Sequence, residues 1–318
     1  MKPDLSVVIP TDRFETIERL VASLRKQTAR GSIELVVVAS SGEALLGRDR
    51  ELEHFHSAQL VEAETASLPH ARAAGIRAAS SDVVAFAESH SFPEPGWAEA
   101  LIAAHAGPWA AVGPAMRSAH APGSPGWAQF LLDYGRWAPP LAAGSVDDLP
   151  GHNSSYKRAL LLDYGPELER MLGAEWVMHA DLRRRGHALY LEPAAASRHV
   201  SPTRLGPAVA AWFHYSRGFA AVRSRGWPRR RRLLYVAGSP LIVPMRLRPA
   251  IAAVRRTGQA RMIAAALPLM LLTLAASAVG ELVGYAVGGG EGGERSSEYE
   301  LHRERYADDY DEIGDRSS

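Results

Sequence analysis

Short apolar runs alternate with stretches of helical spacing through the first hundred residues. The runs at 5–9 (LSVVI) and 33–39 (IELVVVA) read as strands covered on both faces, as in a parallel sheet. Between them Ile17, Leu20, Val21 and Leu24 recur at helical spacing. That spacing predicts a helix over 14–26, capped by Thr11 or Asp12. A short third strand is predicted at 59–63 and a helix at 68–79 carrying Arg72 and Arg77, with a partly helical connection at 45–56. Asp82 opens a fourth strand, the apolar run 83–87, which delivers Glu88, Ser89 and His90 to its carboxyl end. Pro93 and Pro95 then stop the strand, and Gly96-Trp97 lead into a helix over 98–106. Residues 109–116 read as another strand, interrupted by Gly113-Pro114.

The second half is less regular. A helix is expected at 127–137, a loop at 138–150, a polar strand or turn at 151–155, and a helix opening at Lys157. The stretch 167–186 reads as helical and holds Glu175, His179 and Asp181. A strand at 187–191 is ended by Pro193, which leaves His199 in the following loop.

Strands alternating with helices predict an α/β fold with right-handed crossovers between parallel strands. Open sheets of this kind bind ligands at the carboxyl ends of their strands. Here those ends are Pro10-Thr11, Ala39-Ser40 and Glu88 to His90. No glycine-rich dinucleotide or NTPase loop follows the first strand. A carboxylate and an imidazole two positions apart at a strand tip can hold a divalent cation; the plain alternative is a solvated polar turn.

Composition narrows the chemistry. The 318 residues suffice for one large domain or two smaller ones. The lack of cysteine excludes disulfides, thiolate metal sites and a cysteine nucleophile. The net charge of +1 hides a strong asymmetry: 223–261 holds eleven arginines and no acid, whereas 291–318 holds ten acids and four arginines. The opening MKPDLSVVIP enters a strand at once, so no secretory signal is expected and the catalytic part is expected in the cytoplasm.

The chain resembles the family 2 glycosyltransferases over roughly residues 4–200. The resemblance is carried by SVVIPT at 6–11, LRKQT at 24–28, IELVVVAS at 33–40, ARAAGIRAASSDVVAF at 71–86 and PEPGW at 93–97. It continues in GHNSSYKRALL at 151–161 and AEWVMHADLRRRGHALYLEP at 174–193. It implies the GT-A fold, an α/β Rossmann-like mixed sheet, and a nucleotide-sugar donor used with a divalent metal, Mn²⁺ or Mg²⁺. By that resemblance Glu88 and His90 stand where the family usually has D-x-D, and His199 matches the late His that completes the metal or diphosphate site; it is taken as the third metal ligand. Glu175, eleven residues before Gly186, matches the acidic base. Pro10, Thr11, Ser40, Arg72 and Asp82 fall on the donor side, with Arg72 either paired to Asp82 or facing the diphosphate. His152, Asn153 and Trp137 are candidates for sugar contact. Ala39-Ser40 replace the family's acidic pair after the second strand, and Ala73 stands where Asn is frequent.

Inverting transfer to a lipid-linked or cell-surface glycan is the expected activity. The alternative is a catalytically inactive relative that binds a sugar nucleotide or glycan at the membrane. A sugar-phosphate nucleotidyltransferase fits less well, because a Gly-rich basic loop after the first strand is absent.

The carboxyl-terminal part carries a different signal. Residues 262–280 form a charge-free run of nineteen, close to the roughly 20 that span a bilayer, with Pro268 inside and Glu281 after it. The thirteen-residue run 233–245 suits an interfacial segment better. Arginines at 229–232 and 246–261 flank these runs, each worth about 1 kcal/mol beside an anionic leaflet. Positive charge marks the cytoplasmic side, so the catalytic domain is expected on the cytoplasmic face of the cell membrane. Nucleic acid is not an expected partner, because the arginines are interleaved with aliphatic runs and lack an aromatic platform. Three regions result: a catalytic domain at 1–226, a membrane-associated segment at 227–290 and an acidic disordered tail at 291–318.

Overall fold

The computed structural model describes residues 2–45, 47–307 and 310. Its first elements are β1 (Leu5–Pro10), α1 (Phe14–Arg25), β2 (Ile33–Ala39), α2 (Asp49–Leu52), β3 (Ser57–Glu62) and α3 (Leu68–Ala78). Next come β4 (Val83–Phe86), β5 (Ser91–Pro93), α4 (Trp97–His105), β6 (Ala111–Ser118), α5 (Pro125–Asp133) and β7 (Gly144–Val146). They are followed by β8 (Ser155–Lys157), α6 (Arg158–Leu162), α7 (Leu168–Leu172), α8 (Glu175–Arg184) and β9 (Leu189–His199). The remainder is helical: α9 (Leu205–Arg223), α10 (Arg229–Gly238), α11 (Ile242–Arg256), α12 (Ile263–Val287) and α13 (Gly292–Leu301). The chain divides into two units. Among the described residues, one comprises those up to Arg117 with Leu141–His199; the other comprises Ser118–Pro140 and those from Val200 to Tyr310.

The first unit is built on a mixed sheet with strand order β3-β2-β1-β4-β8-β6-β9-β5 and with β7 paired to β9. Strands β1 to β4 run parallel, and β8 pairs antiparallel with β4. Period-two alternation sends Val8, Val36, Val38 and Phe86 into one core beneath α3, α7 and α8. Val7, Ile9, Leu35 and Val37 enter the opposite core beneath α1 and α4. Each fully buried valine or leucine contributes about 1.5–3 kcal/mol. Gly75 lets α3 approach the sheet closely: a Cβ there would lie 2.4 Å from Val8 Cγ1.

Several local expectations are corrected. The residue capping α1 is Arg13, without a side-chain bond. Thr11 Oγ1 instead bonds the Arg13 carbonyl and Thr16 Oγ1, each at 2.6 Å. After the Glu88–His90 triplet the chain resumes as β5 before α4 begins. Strand β6 runs through Gly113-Pro114, which lie beyond the Ala111 and Val112 positions paired with β8. Strand β9 runs through Pro193 to His199, so His199 ends a strand and does not occupy a loop. Pro193 falls between the stretch of β9 paired with β7 (Leu189–Leu191) and the stretch paired with β5 (Ser197–His199), so it interrupts neither pairing.

In the second unit Trp127 and Leu131 of α5 pack with Ala253 and Val254 of α11 and Ala266 and Met270 of α12. The run 233–245 is divided among α10, a 3-10 turn at Ser239–Leu241 and α11. Ala260–Val287 is long and apolar enough to cross a membrane by length and composition. The acidic tail, expected to be disordered, carries α13 in its first part; its positions 308–309 and 311–318 lie outside the described residues.

Candidate active site

The site is assembled at the carboxyl ends of the parallel strands. Glu88 and His90 stand in the turn between β4 and β5, and the β5–β9 register sets Ser91 opposite His199. That pairing brings His199 beside His90, with ring centroids 4.9 Å apart and planes at 80°. Glu88 Oε2 lies 3.7 Å from His90 Nε2 and 3.9 Å from His199 Nε2. All three side chains are buried, and one donor atom from each falls within a common 4.8 Å. Two imidazoles and one carboxylate fit a divalent cation, and the nitrogen donors suit Mn²⁺ and other transition ions better than Mg²⁺.

A second carboxylate faces this cluster. Glu175 is the first residue of α8 and accepts a hydrogen bond from Arg72 Nη1 at 3.1 Å. His152 joins the two acids: its Nε2 lies 2.9 Å from Glu175 Oε1 and its Nδ1 2.8 Å from Glu88 Oε1. Asn153 Nδ2 donates to Glu88 Oε2 at 2.7 Å. Bonding two carboxylates at once requires both ring nitrogens to carry protons, which is the imidazolium form. Burial opposes that charge, but Glu175 and Glu88 outweigh both burial and the repulsion of Arg72 and push the His152 pKa up to about 10. Burial likewise pushes Glu175 up, and the charges of His152 and Arg72 reverse this and hold it below the usual carboxylate range. Glu88 is held well below that range in the same way, burial being outweighed by His90, His152 and His199.

The segment bearing His152 and Asn153 is clamped onto α8. His179, one turn after Glu175, sets Nδ1 2.6 Å from Asp148 Oδ1 and Nε2 2.9 Å from the Tyr156 hydroxyl. Gly151 lies against Glu175, where an added Cβ would come within 2.6 Å of Glu175 Cβ. Sequence reasoning assigned no role to Asp148 or Tyr156. The one available signal was His179 at i+4 from Glu175 on the same helix face.

The other candidates fall into two sets. Pro10 closes β1, and Thr11 donates its N–H to the Val38 carbonyl at 2.8 Å, so both lie at the same carboxyl edge. Ser40 follows β2 there and shares a 2.9 Å hydroxyl contact with Thr65. Arg72 joins Glu175 and lies over the Phe86 ring at 5.2 Å; it is not paired with Asp82. Asp82 is at the amino end of β4, its side chain 89% exposed and bonded to Lys2 at 2.6 Å, so the length of the strand separates it from Glu88. Trp137 belongs to the second unit, is 6% exposed and has its ring centroid 6.3 Å from that of Tyr134, which leaves little ring face for a sugar.

Comparison with known proteins adds the family. A solved structure titled "Crystal structure of GalNAc-T7 with UDP, GalNAc and Mn2+" matches with a TM-score of 0.46 at 17% identity. The match covers 71% of this chain, which spans about half (52%) of that structure's length. No curated protein matches the sequence. The family model described as "Glycosyl transferase family 2" matches residues 6–165, half of the chain. That stretch holds β1 to β8 together with Glu88, His90, His152 and Asn153, and its mixed α/β sheet is of the GT-A kind. The chain belongs to the family 2 glycosyltransferases.

Proposed function

We propose that the chain is a metal-dependent, inverting glycosyltransferase that moves a sugar from a nucleotide-sugar donor to a lipid-linked or cell-surface glycan. The observation that carries this reading is the buried Glu88–His90–His199 cluster, linked through His152 to Glu175 at the carboxyl ends of the parallel strands. A divalent cation held by those three side chains would supply positive charge to the departing diphosphate, an effect commonly worth about 3–4 kcal/mol. Pro10, Thr11 and Ser40 border the donor from the same edge.

Glu175 is the base. Its lowered pKa keeps it ionised near neutrality, ready to accept a proton. The acceptor hydroxyl takes the place of His152 at Glu175, gives up its proton there, and bonds the anomeric carbon as the bond to diphosphate breaks on the opposite face. Attack from that face inverts the anomeric centre. A positioned base contributes about 10²–10⁴-fold. Arg72 and His152 keep the Glu175 carboxylate charged and oriented between turnovers. The arginine-rich second unit holds the enzyme at the cytoplasmic face of the membrane, beside its acceptor.

A second reading is favoured by one observation: Glu175 already accepts bonds from two cations, as in a site that binds donor without turnover. The deciding experiment incubates the chain with Mn²⁺, a panel of nucleotide sugars and membrane-extracted acceptor lipids. Release of nucleoside diphosphate with an inverted product by NMR, abolished in Glu88→Ala, supports transfer. Donor binding with no release in any combination supports the binding module.

A further inference from the structure

Helix α12 is built inside out. It contains four polar side chains, Thr273, Ser277, Glu281 and Tyr285, each four residues after the last, and all four are buried. Each is keyed to the second unit. Thr273 accepts from Gln129 of α5 at 2.9 Å, and Ser277 meets Ser216 of α9 at 2.7 Å. Glu281 takes a 3.0 Å bond from Arg246 of α11 and a 2.9 Å bond from Tyr285, which in turn accepts from Arg223 of α9 at 3.1 Å. Gly280 and Gly284 fix the close approach to α9: Cβ atoms there would sit 2.3 and 2.4 Å from the Phe213 and Arg217 carbonyl oxygens. The opposite face runs through Ala264, Pro268, Leu272, Ala275, Val279 and Leu282, and every exposed residue of the helix is apolar. Val279 is 51% exposed and Leu272 47%. A helix of a water-soluble bundle shows the reverse arrangement.

We infer that α12 lies in the plane of one anionic leaflet, its outer face in the acyl layer and its polar face locked to α5, α9 and α11. Charge complementarity selects lipid as the occupant. The chain from Arg223 to Gly280 has eleven arginines and no acid; Arg255 and Arg261, which precede the amino end of α12 in sequence, are exposed, and so is Arg248 of α11. Length alone would allow a crossing, since 25 residues extend about 37 Å. The partners forbid it. A crossing α12 would either break its four polar attachments or carry its neighbours through the hydrocarbon. Helix α5, with nine residues, reaches only about 14 Å, and α11 would bring exposed Arg248 and Arg255 into the acyl layer. In-plane docking keeps every attachment and leaves the arginines among headgroups.

The inference rests on the membrane part of the proposed function, and its test reads lipid contact alone, so it fails separately from the transfer chemistry. The chain has no cysteine, which makes single-cysteine labelling clean. Ala264→Cys, Leu272→Cys, Val279→Cys and Ala286→Cys are each labelled with an environment-sensitive fluorophore. They are mixed with phosphatidylglycerol–phosphatidylcholine vesicles carrying quenchers at shallow or deep acyl positions. The expected result is a blue shift at all four sites with similar, shallow quenching, and at least tenfold weaker binding to pure phosphatidylcholine. The paired change Leu272→Glu with Val279→Glu is expected to weaken vesicle binding at least tenfold while circular dichroism stays unchanged. A graded profile, shallow at 264 and 286 and deep at 272 and 279, would overturn in-plane docking in favour of a span. No spectral change, or labels covered by a second copy of the chain in a vesicle-free dimer, would overturn lipid contact itself.

Discussion

His152 and Glu175 are joined by a 2.9 Å hydrogen bond whose imidazole partner simultaneously reaches Glu88 at 2.8 Å. One cation thus lies between two buried carboxylates that would otherwise repel across a region of low dielectric. His152→Leu removes that cation and is expected to destabilise the fold by about 3–5 kcal/mol, as for a buried pair stripped of one partner. The sign of the pH effect follows from the raised pKa. The stabilisation is complete below the ordinary His value of 6.5 and is lost as pH rises toward about 10. Urea denaturation of wild type and His152→Gln should therefore show their stability gap closing over that range.

Glu175→Gln keeps the shape of the side chain and removes its basicity. The expected outcome is a fall in kcat of about 10²–10⁴ with donor KM little changed, measured as initial rates of nucleoside diphosphate release. A parallel fall in donor affinity would assign Glu175 to donor binding instead.

His105 offers an independent acid-side test. Burial, reinforced by the Lys157 charge, pushes it down to about 4 against the favourable effect of Ser155, whose hydroxyl lies 2.9 Å from Nε2. A histidine kept neutral in the fold stabilises fully above 6.5, and this contribution is lost as pH falls toward 4. Thermal melts at pH 7 and pH 4.5 should show a smaller loss of Tm for His105→Gln than for wild type.

Gly151→Ala tests the clamp on α8. The added methyl would fall 2.6 Å from Glu175 Cβ, so the 147–153 segment must shift. A cost of about 1–3 kcal/mol is expected, together with loss of the alkaline stability slope assigned to His152. Chemical denaturation at pH 7 and pH 9.5 reads both effects.

Much of the sheet was legible because β1 and β2 are apolar on both faces and the intervening helix shows a clear helical period. The strand tip bearing Glu88 and His90 followed directly from that order. What the sequence could not show was pairing across long separations. His199 reaches His90 through the antiparallel β5–β9 register, and β9 could not be followed past Pro193 without knowing where its ladder bonds fall. The sequence leaves Arg72 either paired to Asp82 or facing the diphosphate, whereas its partner in the fold is Glu175, 103 positions away. Asp148 and Tyr156 were invisible for a related reason. Their function is set by contact with His179, and neither has a local pattern that points to it. In α12 composition revealed an apolar helix, but the inward turn of its four polar residues emerged only from their partners.

The central claim is that Glu88, His90 and His199 hold a divalent cation. Pulsed electron paramagnetic resonance of the full chain with Mn²⁺ and a nucleoside diphosphate tests it most directly. The account expects bound Mn²⁺ coupled to imidazole nitrogen, with the coupling weakened in His199→Ala and the bound signal lost in Glu88→Ala. Bound Mn²⁺ without nitrogen coupling, or binding unchanged in Glu88→Ala, would contradict it.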